Sequence, residues 1–149
     1  MEKENTPEVE SGETVVDSNA SDMTFETLPA PLAEACARAG WDKLMPVQER
    51  ALPYLMAGKD VMVQARTGSG KTGAFVLPLI DKLDPNHAQC QALVMVPTRE
   101  LASQVAAEAR MLAGPDGINV VAVYGGVGYK EQLDAFRDGT QLVVGTPGR

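Results

Sequence analysis

Asp60-Val-Met-Val-Gln-Ala-Arg-Thr-Gly-Ser-Gly-Lys-Thr72 decides how this chain is read, and Gly73-Ala-Phe-Val-Leu77 runs on behind it. Val61, Met62 and Val63 form a short apolar run, expected as a buried strand; a glycine-bearing loop follows, and the next apolar-periodic segment opens a helix. Gly68 and Gly70 free the backbone to turn consecutive N–H groups toward one anion. A helix starting near Lys71 adds its unpaired N–H groups and the positive end of its dipole. Lys71 offers a point charge to the β and γ phosphates of a nucleotide, and Thr72 a hydroxyl to phosphate-bound Mg²⁺. The general fingerprint G-x-x-x-x-G-K-[ST] has glycine where this chain has Ala65, so only the Gly-Ser-Gly-Lys-Thr core matches. The plainer alternative is a Gly/Ser turn that happens to end in Lys-Thr.

With 149 residues, 44% of them hydrophobic, the chain is long enough for one domain with a core and too short for two of ordinary size. Its net charge of −7 is unevenly spread. Residues 1–22 hold seven acids and one base, which from totals of 20 and 13 leaves 13 and 12 for residues 23–149. That remainder is near neutral, so no global basic surface points to nucleic acid and any such site must be local. Residues 1–22, rich in Glu, Ser, Asn and Thr, are expected as a disordered acidic tail. Cys36 and Cys90 lie far apart without partnering histidines and read as reduced core thiols. His87 falls in a polar loop. There is no secretory signal and no apolar stretch of membrane-spanning length, so a cytoplasmic location is expected.

Beyond the tail, Pro31 suits a helix start, with Leu32, Ala35, Cys36 and Ala39 on one face and Gly40 as terminator. A second helix begins near Pro46, and Pro53 is expected to break it in two; Pro78 is expected to kink the helix that follows the loop. Residues 92–96 read as a buried strand leading to Thr98, a candidate cap for a helix with Leu101, Val105, Ala109 and Leu112 inward. Gly114-Pro115 stops that helix. Residues 120–124 form another strand ending at Gly125-Gly126. A short helix with Leu133 and Phe136 inward leads to a last strand at residues 142–144. Alternating apolar strands and helices indicate an α/β fold, a parallel sheet with helices on both faces.

Along residues 23–149 several short signals, taken in order, resemble the DEAD-box ATP-dependent RNA helicases. Phe25 followed by Gly40-Trp41-Asp-Lys-Leu-Met-Pro46-Val47-Gln48 looks like that family's adenine-reading Q motif. Ala65-Arg66-Thr67-Gly68-Ser69-Gly70-Lys71-Thr72 is similar to its phosphate loop, which begins with Ala. Pro97-Thr98-Arg99-Glu-Leu101, Gly125-Gly126 and Thr146-Pro147-Gly148-Arg149 resemble its RNA-contacting motifs. The resemblance implies an incomplete RecA-like P-loop NTPase domain over residues 23–149, with ATP and Mg²⁺ as cofactors and single-stranded RNA as partner, gripped by its backbone whatever its sequence. It further implies Lys71 and Thr72 in catalysis, Thr72 at the metal, and Phe25, Trp41 and Gln48 at the base.

Each of these residues also has a plainer reading. A Gln on a short helix is usually solvated, though its amide can both donate to and accept from adenine, and an aromatic such as Phe25 or Trp41 can wall a base. Thr98 can simply cap a helix, Arg99 pair with a nearby acid, and Gly125-Gly126 form a turn. As a set beyond the C-terminal ends of parallel strands, they favour a phosphate-contacting site.

Hydrolysis needs an acid for Mg²⁺ and a group that positions water; the family implies an Asp-Glu-Ala-Asp segment, and this sequence contains no Asp-Glu pair. The chain is therefore expected to be an N-terminal piece that hydrolyses almost nothing alone, with its phosphate-loop strand lacking neighbours and its solubility poor. A non-catalytic product that competes through a partial nucleotide or RNA surface is the alternative. Another phosphate-loop ATPase or kinase is disfavoured by Gln48.

Overall fold

The computed structural model describes residues 21–149, so the acidic tail expected over residues 1–22 lies almost wholly outside the described residues. A one-turn 3₁₀ helix, Phe25–Thr27, precedes α1 (Ala30–Arg38), α2 (Pro46–Met56), α3 (Lys71–Lys82), β1 (Ala92–Met95), α4 (Arg99–Ala113), β2 (Val120–Val123), α5 (Tyr129–Arg137) and β3 (Leu142–Gly145). The three strands form one parallel sheet in the order β1-β3-β2, with Ala92 and Val120 both in register with Leu142.

Local chemistry accounts for the helix ends. Past α1, Gly40 takes φ +71°, while Trp41 N donates to Cys36 O at 2.9 Å and Gly40 N to Ala37 O at 3.0 Å, a Schellman closure. The Thr98 hydroxyl accepts from Leu101 N at 3.2 Å at the start of α4. At the other end of α4, Arg38 reaches over from α1 and donates to the carbonyls of Leu112 and Ala113, at 2.7 and 3.3 Å through Nη2.

Alternate strand residues, Ala92, Val94, Leu142, Val144, Val120 and Ala122, turn toward a layer built from α1, α3 and α4. Leu32, Leu52, Leu77, Leu112 and Leu142 are fully buried there; each such leucine contributes roughly 1.5–3 kcal/mol of transfer free energy. The connections β1 to β2 and β2 to β3 cross the sheet in opposite directions, and right-handed crossovers then place α4 and α5 on opposite faces. On the α5 side Val121 and Val143 are buried, whereas Leu93 and Met95 are 61% and 62% exposed. The sheet thus carries helices on both faces, but the second face is covered only in part.

Several expectations are corrected. Residues 61–63 are not a strand: they make no ladder, and Met62 is 99% exposed, because no strand among the described residues lies beside them to pair with. Pro53 does not divide α2. The carbonyl of Glu49, which Pro53 cannot serve, instead accepts from Met23 N at 2.9 Å. Pro78, where a kink is expected, lies buried within α3, which runs from Lys71 to Lys82. Leu133 and Phe136 point outward, 49% and 40% exposed, since α5 turns Gln132 to the sheet and no described element covers its outer side. Cys36 is buried, but Cys90 is exposed in the loop before β1. Among the described residues no helix is long and apolar enough to cross a membrane.

Candidate functional site

The segments singled out in the sequence collect at the ends of elements. Residues 65–70 form a loop that ends at Gly70, the N-cap of α3, with φ +89° at Gly70 and +76° at Gly68. Only a residue without a Cβ takes these dihedrals freely, and within the loop Ser69 N donates to Arg66 O at 3.3 Å. The Lys71 ammonium bends back over the loop and donates to the carbonyls of Ala65 and Arg66 at 2.5 and 2.6 Å. Ser69 Oγ is buried without a hydrogen-bond partner. A hydroxyl in that state costs about 1–3 kcal/mol unless a ligand or water meets it. Thr72 is half-buried one residue after Lys71. Among the described residues there is no group of three His, Cys, Asp or Glu side chains able to hold a metal ion.

Gln48 is 1% exposed and ties two segments together. Its Oε1 accepts from Met45 N at 2.8 Å and its Nε2 donates to Gly70 O at 3.0 Å. These bonds use one of the amide's two N–H groups and one of its oxygen lone pairs. Trp41 lies against the same turn of α3: a Cβ added at Gly73 would meet Gln48 Nε2 at 2.5 Å and the Trp41 ring at 2.7 Å. Phe25 packs half-buried against the core. Gly73 was absent from the sequence-based site, although a glycine in the first turn of a helix, unfavourable by about 1 kcal/mol relative to Ala, is a signal that packing requires it.

At the C-terminal edge of the sheet, Pro97, Thr98 and Arg99 after β1, Gly125 and Gly126 after β2, and Thr146, Pro147 and Gly148 after β3 line one open cleft of about 540 Å³. Three stretches distant in sequence are thus brought together, where parallel sheets place ligands. The arginines turn inward. Arg99 Nη1 donates to Gly125 O at 3.2 Å rather than pairing with an acid. Arg149 Nε donates to Tyr124 O at 3.1 Å and its Nη2 to Val127 O at 2.6 Å. The guanidinium of Arg149 also stacks 3.7 Å from the centroid of the Tyr129 ring, a residue the sequence reading did not include. Gln132 donates to Tyr124 O at 3.2 Å, so the turn after β2 is held from several sides. A larger cleft of about 830 Å³ opens beside Arg38, Arg110 and Asn119, but there Arg38 holds the end of α4 and Arg110 Nε donates to Val120 O at 2.9 Å.

The description of DEAD/DEAH box helicases matches residues 45–149, spanning both the phosphate loop and the three-segment cleft. This chain belongs to the DEAD/DEAH box helicase family. Within that family it is 52% identical over 123 residues to the ATP-dependent RNA helicase DeaD of Escherichia coli, covering 82% of this chain and 20% of that protein. It is 45% identical over 130 residues to DeaD of Haemophilus influenzae, covering 85% of this chain and 21% of that one. The chain therefore spans about a fifth of the length of these curated relatives. Its fold is similar to the crystal structure of a DEAD box protein from Methanococcus jannaschii, with TM-score 0.79, 35% identity and coverage of 86% of this chain and 36% of that one. A hypothetical ATP-dependent RNA helicase from Sulfolobus tokodaii gives 0.72 at 36% identity, over 82% and 35% of the two chains. The α/β architecture of a DEAD-box RecA-like domain, present in part, is accordingly the fold of this chain.

Proposed function

We propose that this chain is the nucleotide-binding portion of an ATP-dependent RNA helicase, with residues 23–149 forming part of its first RecA-like domain. The observation that carries the reading is the presence of a glycine-shaped loop, holding an orphaned Ser69 hydroxyl, together with a cleft that unites three separated segments at the C-terminal edge of the parallel sheet.

In this reading the amides of residues 66–70 and the N-terminus of α3 hold the phosphates of ATP. Lys71 leaves the carbonyls of Ala65 and Arg66 to follow the β and γ phosphates. Mg²⁺, when bound, neutralises charge on those phosphates. Thr72 is the residue of this chain that would meet it, through its hydroxyl. Gln48 and the rings of Phe25 and Trp41 read the adenine. The cleft lined by Thr98, Gly126 and Thr146 takes single-stranded RNA by its phosphates and sugars, contacts that carry no sequence information. The location that fits such an activity is the cytoplasm.

The test is Lys71→Ala in the full-length gene product, assayed for ATP hydrolysis with and without RNA. Loss of RNA-stimulated hydrolysis with intact folding supports the helicase. RNA binding with no turnover in the unmodified protein supports a non-catalytic competitor instead. Equal use of ATP and GTP would point to a phosphate-loop ATPase of another kind, and affinities that differ strongly among homopolymer RNAs would refute sequence-independent binding.

A further inference from the structure

We propose that Tyr129 is a positioning residue of the RNA cleft, acting through Arg149; this rests on the reading that the cleft holds RNA. Tyr129 is the first residue of α5 and is 64% exposed, so its ring does not serve the core. What it does contact is the Arg149 guanidinium, stacked 3.7 Å from the ring centroid. A guanidinium so placed is attracted by the ring's negative face and held in one plane. In that plane Arg149 donates at once to Tyr124 O and Val127 O, which flank Gly125 and Gly126. Arg99 donates to Gly125 O from the other wall.

The turn between β2 and α5 is therefore shaped by two arginines whose donors face protein carbonyls. Gly126, at φ +84°, holds a conformation that side chains rarely adopt, and an added Cβ would have to push the end of the Arg99 side chain aside. The part of this turn left to face RNA is its backbone. Its shape depends on Arg149, and the orientation of Arg149 depends on the Tyr129 ring.

The experiment uses the full-length gene product carrying Tyr129→Ala, Tyr129→Phe, Arg149→Ala or both alanines. Binding is measured to a single-stranded oligouridine and to an abasic ribose-phosphate oligomer of equal length. Hydrogen exchange of the amides of residues 125–128 is followed without RNA. Tyr129→Ala is expected to weaken both oligomers by about two- to fivefold, the range for an exposed cation–π contact, to raise the KM for RNA while leaving the KM for ATP unchanged, and to speed exchange in the turn. Tyr129→Phe should restore all of these, and the double alanine should be no worse than Arg149→Ala alone.

Independent, multiplying effects of the two alanines would overturn the proposal. So would a loss seen with oligouridine and not with the abasic oligomer, which would make Tyr129 a base-stacking platform. Unchanged exchange in Tyr129→Ala would overturn it as well. Faster exchange in a protein that binds neither oligomer would leave the positioning role standing and refute the RNA reading instead.

Discussion

Gly73→Ala is the most informative single change, because two opposite effects meet at that atom. In an open helix the substitution would stabilise by about 1 kcal/mol through backbone entropy. Here the new methyl would stand 2.5 Å from Gln48 Nε2 and 2.7 and 2.8 Å from two ring atoms of Trp41, roughly 1 Å inside the distance at which carbon contacts are favourable. Gln48 cannot swing away cheaply, since it is 1% exposed and bonded to Met45 N and Gly70 O. Overpacking of this size costs about 1–3 kcal/mol, and losing the bond to Gly70 O leaves a buried amide unmet at a further cost of about 1–3 kcal/mol. The methyl should therefore destabilise by about 1–5 kcal/mol net and, by moving Gln48 and Trp41 together, reduce the preference for ATP over GTP more than the affinity for inorganic triphosphate. Urea denaturation gives the first quantity and competition binding the second. Adding Trp41→Phe, which removes the colliding ring, should recover part of the stability. A Gly73→Ala protein as stable as the original with the same base preference would refute the reasoning.

Other changes test separate parts of the structure. Thr98→Ala removes the hydroxyl that caps α4 and should lower stability by about 1 kcal/mol in denaturant melts without RNA. Arg38→Met withdraws the donors from the carbonyls of Leu112 and Ala113 and should cost about 1–2 kcal/mol, again by denaturation. Burial raises the Glu108 carboxyl above its ordinary value of 4.5, so the folded state holds its proton more tightly than the unfolded chain and loses stability as pH rises through and above that value. Glu108→Gln should accordingly raise the melting temperature at pH 7 and leave it unchanged well below pH 4; an equal gain at both would show that its charge is not the cause.

How far the sequence carried depended on whether a residue's fate was local. Residues 92–96, 120–124 and 142–144 are apolar runs bounded by turn residues, and each became a strand within one residue of expectation. Thr98 capped its helix because the bond spans three residues. The apolar run at residues 61–63 carried the same signal and failed, since a strand needs a neighbour and pairing is not local. Pro53 was misjudged for a related reason: the carbonyl it abandons is met by Met23, far away in sequence. At the candidate site the residue types were legible, but the partners were not. No pattern in the sequence indicated that Arg149 would face Tyr124 O and Val127 O, or that Gln48 would be bonded at both ends.

The strand order has a consequence for synthesis. Among the described residues β1 and β2 do not pair with each other; each is hydrogen-bonded to β3 alone, which comes last of the three in sequence. A nascent chain that has exposed residues 92–123 can form α4, a local event, but its two strands lack β3, the partner each has in the fold, until residues 142–145 leave the ribosome tunnel. Until then Leu93, Met95 and the edges of both strands are open to other chains. The interval is governed by the rate of translation rather than by any barrier in the folded molecule. Slowing the ribosome over residues 124–141 should therefore lengthen the dependence of the nascent chain on chaperones, while faster passage should shorten it.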